Sequence, residues 1–438
     1  MRLAFRPYTI LLLLTAASLA LPAAAACVDE PAPAEPMLDA NAARSALKTL
    51  VADAWQRSQA VGAARLLAEA AASEVDEARA AARPKATLSA SAAQAGQGGD
   101  DVLERVGAQT RASVDIGAPL WDAGRIERLT DWRRALADAA RYGQLGLQEQ
   151  VALQTVSLAL ERSRYRRQAE VYGQYARQMG CLVGSLEQIV AADRGRASEL
   201  VQARKTQQQA ELAQSQAASQ WRQAEIRLAR FVGPALPDTD PIAALLDAPP
   251  ALEQTLAEAE RASEIVQLGA QADAAEAYRR AVLAGQKPQL HWVVSGSRTA
   301  GTGDGRAWSA GLLLSVPLLD PAADPAAAAA RQRAEAARAQ RADALDARRS
   351  RIAEIHEQAL AARDRVVRSD AVLRDSERVR EATRLQWQQL GRRSLFDVMA
   401  AEGEHYALQI GRVNAQVDAR QAGALLWSLG AGIAARLE

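Results

Sequence analysis

The residues of this chain that could do chemistry are charged side chains beside a glycine rather than a catalytic constellation. Gly391 is followed by two arginines, Arg392 and Arg393, and by two acids, Asp397 and Glu402. The sequence contains no Gly-x-Ser-x-Gly elbow, no phosphate-binding loop and no His-Glu-x-x-His pattern. We therefore expect no enzyme, no cofactor and no metal site, and we expect these charges to act electrostatically.

The two cysteines, Cys27 and Cys181, are the other reactive side chains. Cys27 directly follows three alanines, as a lipidated N-terminus would, although the leucine usual in such a cleavage site is missing. A pair of cysteines in an oxidising compartment can instead form one disulfide, and a Pro-rich leader would let Cys27 reach Cys181. Two unmodified thiols are the third alternative, and the sequence leaves all three open.

Residues 1–26 have the pattern of a secretory signal peptide. Arg2 and Arg6 precede an apolar run from Ile10 to Leu21, and small residues follow. That run is too short to cross a bilayer core of about 30 Å as a helix, and no later stretch approaches the required length. We expect an exported chain without a membrane-spanning helix.

The overall composition favours long thin helices. The chain has 53 basic and 52 acidic residues, a balance that argues against nucleic acid as a partner. Hydrophobic residues make up 49% of the sequence and are largely alanine, whereas aromatic residues make up only 4%. Alanine-rich and charge-rich sequences are typical of closely packed helices rather than of a thick globular core.

The chain around Gly391 predicts a long helix, a tight reversal and a second long helix. Glycine commonly ends a helix and serine commonly caps the next one, here Gly391 and Ser394. A near copy of this signal begins at Gly195 and continues through Ser198. Before Gly391, apolar residues recur at three- and four-residue steps, the spacing of a helix that packs along another. They are Ile352, Ile355, Ala359, Ala362, Val366 and Leu373.

Three pairs of landmarks recur in the same order at offsets of 198, 204 and 196 residues. They are Pro119-Leu120 with Pro317-Leu318, Arg83-Pro84 with Lys287-Pro288, and Gly195 with Gly391. This recurrence predicts a tandem duplication. The predicted organisation is a first repeat at 27–230, a Pro-rich linker at 231–250 and a second repeat at 251–438, with reversals near 195 and 391.

Each repeat has one segment in which polar and apolar residues alternate, the pattern of strands with two different faces. We predict hairpins at 85–118 and 288–317, flanked by Trp121, Trp292 and Trp308. Four strands are too few to close a membrane barrel, which needs about eight. Two copies would give eight strands and three would give twelve; a soluble sheet that caps the helices is the alternative.

The stretch Pro-Leu-Trp-Asp-Ala-Gly-Arg at 119–125, its partner at 317–320 and the two reversals resemble the TolC family of outer membrane channel proteins. The resemblance covers nearly all of the mature chain. Residues 390–398 are similar to the tip of members that serve type I secretion, and residues 193–203 to the first tip of members that export large adhesins.

The resemblance implies a mainly α fold with a small β part. In a homotrimer, four strands per protomer would form a 12-stranded β-barrel in the cell outer membrane, and long antiparallel coiled-coil helices would form a periplasmic tunnel. The tip of the tunnel would dock a periplasmic adaptor protein. By position, the tip residues are Gly195, Arg196, Ser198, Leu200, Gly391, Arg392, Ser394 and Phe396.

The resemblance also implies a constriction built from Arg393, Asp397 and Glu402. Three Asp397 carboxylates around one axis would make it anionic and favour cations. Family members often have a second aspartate where this chain has Ala400, so Glu402 is the candidate replacement. From the residues alone, complementing the dipole of its own helix is the commoner role for an acid such as Asp397.

These expectations converge on an exit duct of a type I secretion system, which exports a protein such as a large adhesin with an inner-membrane ABC transporter and the adaptor. The first alternative is the outer membrane channel of a drug or metal efflux system, in which a proton-driven inner-membrane pump takes the place of the ABC transporter. The second is a soluble periplasmic coiled-coil scaffold. The predicted partners are further copies of the chain, the adaptor, the transporter and outer membrane lipid, without nucleic acid.

Overall fold

Long helices dominate the computed structural model, which describes residues 40–99, 102–236, 245–389 and 392–437. The two longest helices have 68 and 66 residues, so each is about 100 Å long. The helices are α1 (Ala40–Arg57), α2 (Gln59–Ala80), α3 (Arg125–Ala192), α4 (Ala197–Val232), α5 (Leu252–Glu258), α6 (Ser263–Gly285), α7 (Ala323–Gln388) and α8 (Leu395–Leu429).

Four antiparallel strands form one sheet in the order β1-β2-β3-β4. They are β1 (Lys85–Gly99), β2 (Val102–Trp121), β3 (Gln289–Gly301) and β4 (Gly305–Ser315). The central pair, β2 and β3, joins the two hairpins, with Ile116 opposite Val294. Strands β1 and β4 are the two edges, and neither edge pairs with another described strand.

Small side chains set the packing of the first helix pair. Along α4, buried alanines recur every seven residues, and each is at most 3% exposed. A repeat of seven keeps one face of a helix against its partner, and alanine lets the two backbones approach closely. The residues are Ala203, Ala210, Ala217 and Ala224. The result is an antiparallel pair of α3 and α4.

The apolar stripe that precedes the second reversal is buried in α7 as expected. Ile352 and Ile355 are 0% and 3% exposed and pack with Leu426 of α8. Ala359 and Ala362 continue the buried stripe. Among the described residues, no helix combines the length and the hydropathy needed to cross a membrane.

The structure refines the predicted boundaries. The hairpins run from Lys85 to Trp121 and from Gln289 to Ser315, each within three residues of the ends predicted from the sequence. Before the first hairpin, the helical segment is broken in two because the Ser58 hydroxyl caps α2, accepting from the Val61 backbone N–H at 3.3 Å. The division of the chain into two repeats and a linker stays a prediction.

Candidate functional sites at the helix reversals and on the sheet

The two helix reversals lie side by side. A shared apolar cluster joins them, and in it Leu200 at the start of α4 and Leu395 at the start of α8 are 9% and 0% exposed. The cluster also contains Met179, Val183, Leu186, Ala203 and Met399. The structure thus brings together two sequence segments that lie almost 200 residues apart and forms one end of the helical body from both. We call this end the tip.

The first reversal is held by local polar contacts. A carboxylate oxygen of Asp193 accepts the backbone N–H of Gly195 at 3.0 Å, which closes a short turn ahead of α4. Arg196 donates to one carboxylate oxygen of Glu199 through two nitrogens, at 2.7 and 3.1 Å. Gly195 and Ser198 are exposed. The charge of Arg196 is therefore balanced within its own turn, and the small residues face outward.

The second reversal has a capping box. The Ser394 hydroxyl accepts the backbone N–H of Asp397 at 3.2 Å, and the Asp397 carboxylate accepts the backbone N–H of Ser394 at 3.1 Å. The hydrogen bonds that the Asp397 carboxylate accepts from the backbone and the side chain of Ser394, and then the charge of Arg393, hold the pKa of Asp397 below its usual range. The sequence prediction that Ser394 caps this helix agrees with the structure.

Arg392, Arg393 and Phe396 of the second reversal are exposed. Arg393 donates to the side-chain oxygen of Gln386 at 3.2 Å, and the Arg392 backbone N–H donates to the carbonyl oxygen of the same residue at 3.1 Å. Phe396 is 52% exposed although it is aromatic. Gly391 lies outside the described residues. The tip therefore presents an aromatic ring and two guanidinium groups to its surroundings.

Glu402 does not lie where the sequence analysis expected it. Its side chain is 1% exposed and forms an ion pair with Arg380 of α7 at 3.2 Å. A carboxylate enclosed between two helices cannot line a water-filled opening, so we withdraw Glu402 from the constriction. The error arose because the sequence shows the distance from Asp397 along the chain but not the side of α8 that faces α7.

The ion pair belongs to a buried polar cluster, which we define as Glu377, Arg380, Glu402, His405 and Tyr406. Arg380 also pairs with Glu377 at 2.6 Å, and the other Glu377 oxygen lies 3.2 Å from Nε2 of His405. The ring of Tyr406 stacks 4.9 Å from that of Tyr175 on α3. Burial and then the charge of Glu402 raise the pKa of Tyr175.

Sequence reasoning assigned no role to His405 and missed the buried polar cluster. The available signal was the spacing, because Glu402, His405 and Tyr406 fall at steps of three and four on one face of α8. Glu377 and Arg380 have the same relation on α7. No group of three or more potential metal-binding side chains occurs in the part of the chain that the structure describes.

Cys181 lies on α3 above the tip and is disulfide-bonded. Cys27 lies outside the described residues. A bonded Cys181 overturns the alternative of two unmodified thiols. The pairing of Cys27 with Cys181 stays a prediction, and lipidation of Cys27 would exclude it because both modifications use the same sulfur.

The sheet has two chemically different faces. Residues opposite each other across strands share a face, so the register assigns every described position. One face, which we call the apolar face, carries large hydrophobic side chains that are open to the surroundings, with Trp308 at 83% and Leu312 at 69% exposure. The other face, the polar face, carries Thr87, Ser89, Gln109, Arg111, Ser113, Asp115, Ser295, Ser297, Thr299 and Ser309.

The three tryptophans that flank the hairpins lie on the apolar face. Trp121 shares a row with Leu290, Trp292 with Leu312, and Trp308 with Gly296. Trp121 is 53% exposed. The exposed rings of Trp121 and Trp308 therefore do not pack into a core formed within the described part of this chain.

Comparison with solved structures places the fold. CusC matches with a TM-score of 0.78 at 14% identity, over 89% of this chain and 92% of CusC. The outer membrane protein VceC of Vibrio cholerae matches with a TM-score of 0.76 at 17% identity, over 90% and 99%. The outer-membrane channel OprN matches with a TM-score of 0.76 at 19% identity, over 93% and 99%.

No protein-family model matches the sequence, and no curated protein does. At identities below a fifth, the structural matches establish the fold. The predicted fold class, long helices with a small four-stranded β part as in TolC-type channels, is confirmed.

Proposed function

We propose that this chain is one subunit of a trimeric outer membrane channel that serves as the exit duct of a type I secretion system. One observation carries the channel: a four-stranded sheet with an exposed apolar face, and with two edges that no other described strand pairs, lies at the end of helices about 100 Å long. The secretion branch rests on the resemblance of residues 390–398 to the tip of channels that serve type I secretion. The structures that share this fold include proteins described as outer membrane channels.

The sheet needs neighbours because its edges and its apolar face are both unsatisfied. Unpaired edge strands expose backbone N–H and C=O groups, and inside a lipid bilayer only closure of the sheet satisfies all of them. Three copies would supply twelve strands, enough for a barrel with the apolar face toward lipid and the polar face toward the interior. The helices would then extend from the outer membrane into the periplasm as a tunnel.

In this arrangement the tip is the periplasmic end and the docking surface for an adaptor protein. The exposed small residues Gly195 and Ser198 permit close approach of a partner, and Phe396 supplies an apolar anchor. Arg392 adds a charge beside it. Leu200 and Ser394 act indirectly, because Leu200 is buried between the two reversals and Ser394 caps α8.

Arg393 and Asp397 are the proposed constriction residues. The pKa of Asp397 is lowered, so its carboxylate stays charged throughout the neutral range, and three such groups around one axis would disfavour anions. The same carboxylate caps its own helix. The two roles are compatible because a carboxylate can accept about four hydrogen bonds.

A deletion strain separates secretion from efflux. If the chain is a secretion duct, its loss abolishes the appearance of a large adhesin at the cell surface and leaves drug and metal sensitivity unchanged. Increased sensitivity with normal surface adhesin would assign the channel to an efflux pump instead. Release of the protein from membranes by a carbonate wash would indicate the periplasmic scaffold.

A matched pair of variants tests the adaptor surface in the complemented strain. Phe396→Ala removes the exposed ring at the tip, and Leu67→Ala removes a side chain of similar character, 69% exposed, on α2 away from the tip. We expect Phe396→Ala to lower secretion and co-purification of the adaptor about tenfold while the trimer persists, as for an interface anchor. Equal effects of the two variants would remove the tip as the docking surface.

A further inference from the structure

Among the residues of the apolar face whose side chains the structure describes, two are charged, Arg298 on β3 and Arg306 on β4. They occupy directly opposite positions in the register, so their side chains leave the same face in the same row. Both are exposed. Every other residue of that face whose side chain the structure describes is apolar or uncharged, including Gln94 and Thr110.

Two like charges directly opposite each other on one face destabilise a strand pair. Within the described part of the chain, neither guanidinium has an ion pair or a hydrogen bond with a protein group. A buried or lipid-facing charge without a partner is costly, so a row of this kind requires a counterion from outside the chain. A negatively charged group that bridges Arg298 and Arg306 would turn repulsion into attraction.

The position of the row on the sheet indicates where that group comes from. Arg306 lies two residues beyond Trp308 toward the loop 302–304, on the side of the sheet away from the helices. From the row of Leu290 to the row of Arg298 is about 27 Å along the strand, or about 20 Å along the membrane normal at a tilt of about 40°. Barrels of this type have an apolar band about 25 Å tall with aromatic residues at its borders. The arginine row therefore lies near the outer border of this band, next to the lipid headgroups.

A shallow groove lies beside the arginine row. Its volume is about 460 Å³, and Arg298 and Thr110 line it together with small residues of the apolar face and with Ser91 and Arg111 of the polar face. The small residues are Ala90, Ala92, Ala112 and Ala300. Because alanines leave the backbone close to the surface, a chain attached to the bound anion has room to lie against the sheet.

We propose that Arg298 and Arg306 bind the phosphate of a phosphorylated lipid headgroup in the outer leaflet. Two guanidinium forks match the oxygens of one phosphate, and such charge-assisted hydrogen bonds are the strong ones. The groove takes the first part of the acyl chain. This inference rests on the proposed function, because it requires the apolar face to lie in a membrane.

The test uses the mature protein in phosphatidylcholine vesicles with a minor fraction of brominated phosphatidic acid, or of brominated diacylglycerol, which lacks the phosphate. Bromine quenches nearby tryptophan, and Trp308 lies in the adjacent row of the same face. The signal is the emission difference between the protein and its Trp308→Phe variant. The variants are Arg298→Gln, Arg306→Gln and the control Lys85→Gln, which removes an exposed cation of the polar face outside the groove.

We expect brominated phosphatidic acid to quench Trp308 more strongly than brominated diacylglycerol. Each of Arg298→Gln and Arg306→Gln should weaken the apparent affinity for phosphatidic acid about tenfold, and Lys85→Gln should leave it unchanged. Equal quenching by both lipids in the inserted wild-type protein would overturn this inference and leave the channel standing. Reversal of the effect by millimolar inorganic phosphate would show a site for soluble anions instead, and failure to insert would overturn the channel as well.

Discussion

The helical body and the sheet of this protein solve the problem of burial in opposite ways. In the body, α3, α4, α7 and α8 bury apolar stripes against one another, and even a charged group such as Glu402 is enclosed at 1% exposure. In the sheet, every described residue of β4 is exposed. One chain therefore suffices for the inner contacts of the helices but not for the sheet.

This difference indicates which interactions come from within the protomer and which come from outside. Substitutions in the helical body should act on the stability of the single chain. Substitutions in the sheet should act on assembly and membrane insertion, and they should depend on which face they alter. The predictions below test this division, beginning with the largest expected effect.

The buried polar cluster should contribute most strongly to the stability of the body. Glu402→Gln removes the charge that faces Arg380, and we expect a loss of about 3 kcal/mol in the free energy of unfolding, because a buried guanidinium loses a charged partner. Denaturant-induced unfolding followed by circular dichroism measures it.

The control for Glu402→Gln is Asp375→Asn on α7. Asp375 pairs with Arg378 at the same distance of 3.2 Å, but the two side chains are 74% and 79% exposed. We expect a change below about 0.5 kcal/mol, as for other exposed ion pairs. Similar losses for both variants would show that burial does not distinguish the two pairs.

Two adjacent leucines of β4 separate the faces of the sheet. Leu312 shares a row with Trp292 on the apolar face, whereas Leu313 shares a row with His291 on the polar face. Leu312→Arg should cost about 2 kcal/mol and deplete the protein from the outer membrane, because an arginine would face lipid. Leu313→Arg should insert normally. Quantitative blotting of membrane fractions measures how much of each variant is inserted. Stronger depletion of Leu313→Arg than of Leu312→Arg would mean that the lipid-facing side of the sheet is the polar face.

The two reversals differ in how their second helix begins. Ser394→Ala removes the capping hydroxyl of α8 and should cost about 1 kcal/mol. Ser198→Ala alters the corresponding serine of the first reversal, where α4 begins without a side-chain cap, and should be nearly neutral. Hydrogen exchange of the first turn of each helix measures both. Equal protection loss in α4 and α8 would contradict the assignment of the cap.

The smallest predicted effect is a pH dependence at the start of α8. The pKa of Asp397 is lower in the folded chain than its ordinary value of 3.8, because Ser394 donates to the carboxylate. Its stabilisation is therefore complete above that value and disappears as the pH falls through the lowered pKa. Exchange in the first turn of α8 should accelerate there in the wild-type chain but not in Asp397→Asn. Identical profiles in the two proteins would exclude the carboxylate as the cause.

Patterns that repeat along the chain were predictable from the sequence. The stripe at Ile352 and Ile355 and the hairpin starting at Lys85 follow from their periods, and the cap at Ser394 follows from local residue preferences. The break between α1 and α2 at Ser58 was not predictable because no glycine or proline marks it.

Contacts between distant segments were not predictable in the same way. The ion pair of Arg380 with Glu402 depends on the rotation of two helices about their axes, which the sequence does not state, and Glu402 was misplaced for that reason. The row of Arg298 and Arg306 depends on the register between β3 and β4. The alternation of polar and apolar residues along each strand does not determine that register.

The mass of the particle extracted from the outer membrane in mild detergent tests the central claim most directly, because closure of the sheet requires neighbours. We predict a stable particle that contains three copies of the mature chain. A particle of one copy that keeps its helices folded would contradict the account, since a single protomer would then satisfy its own sheet.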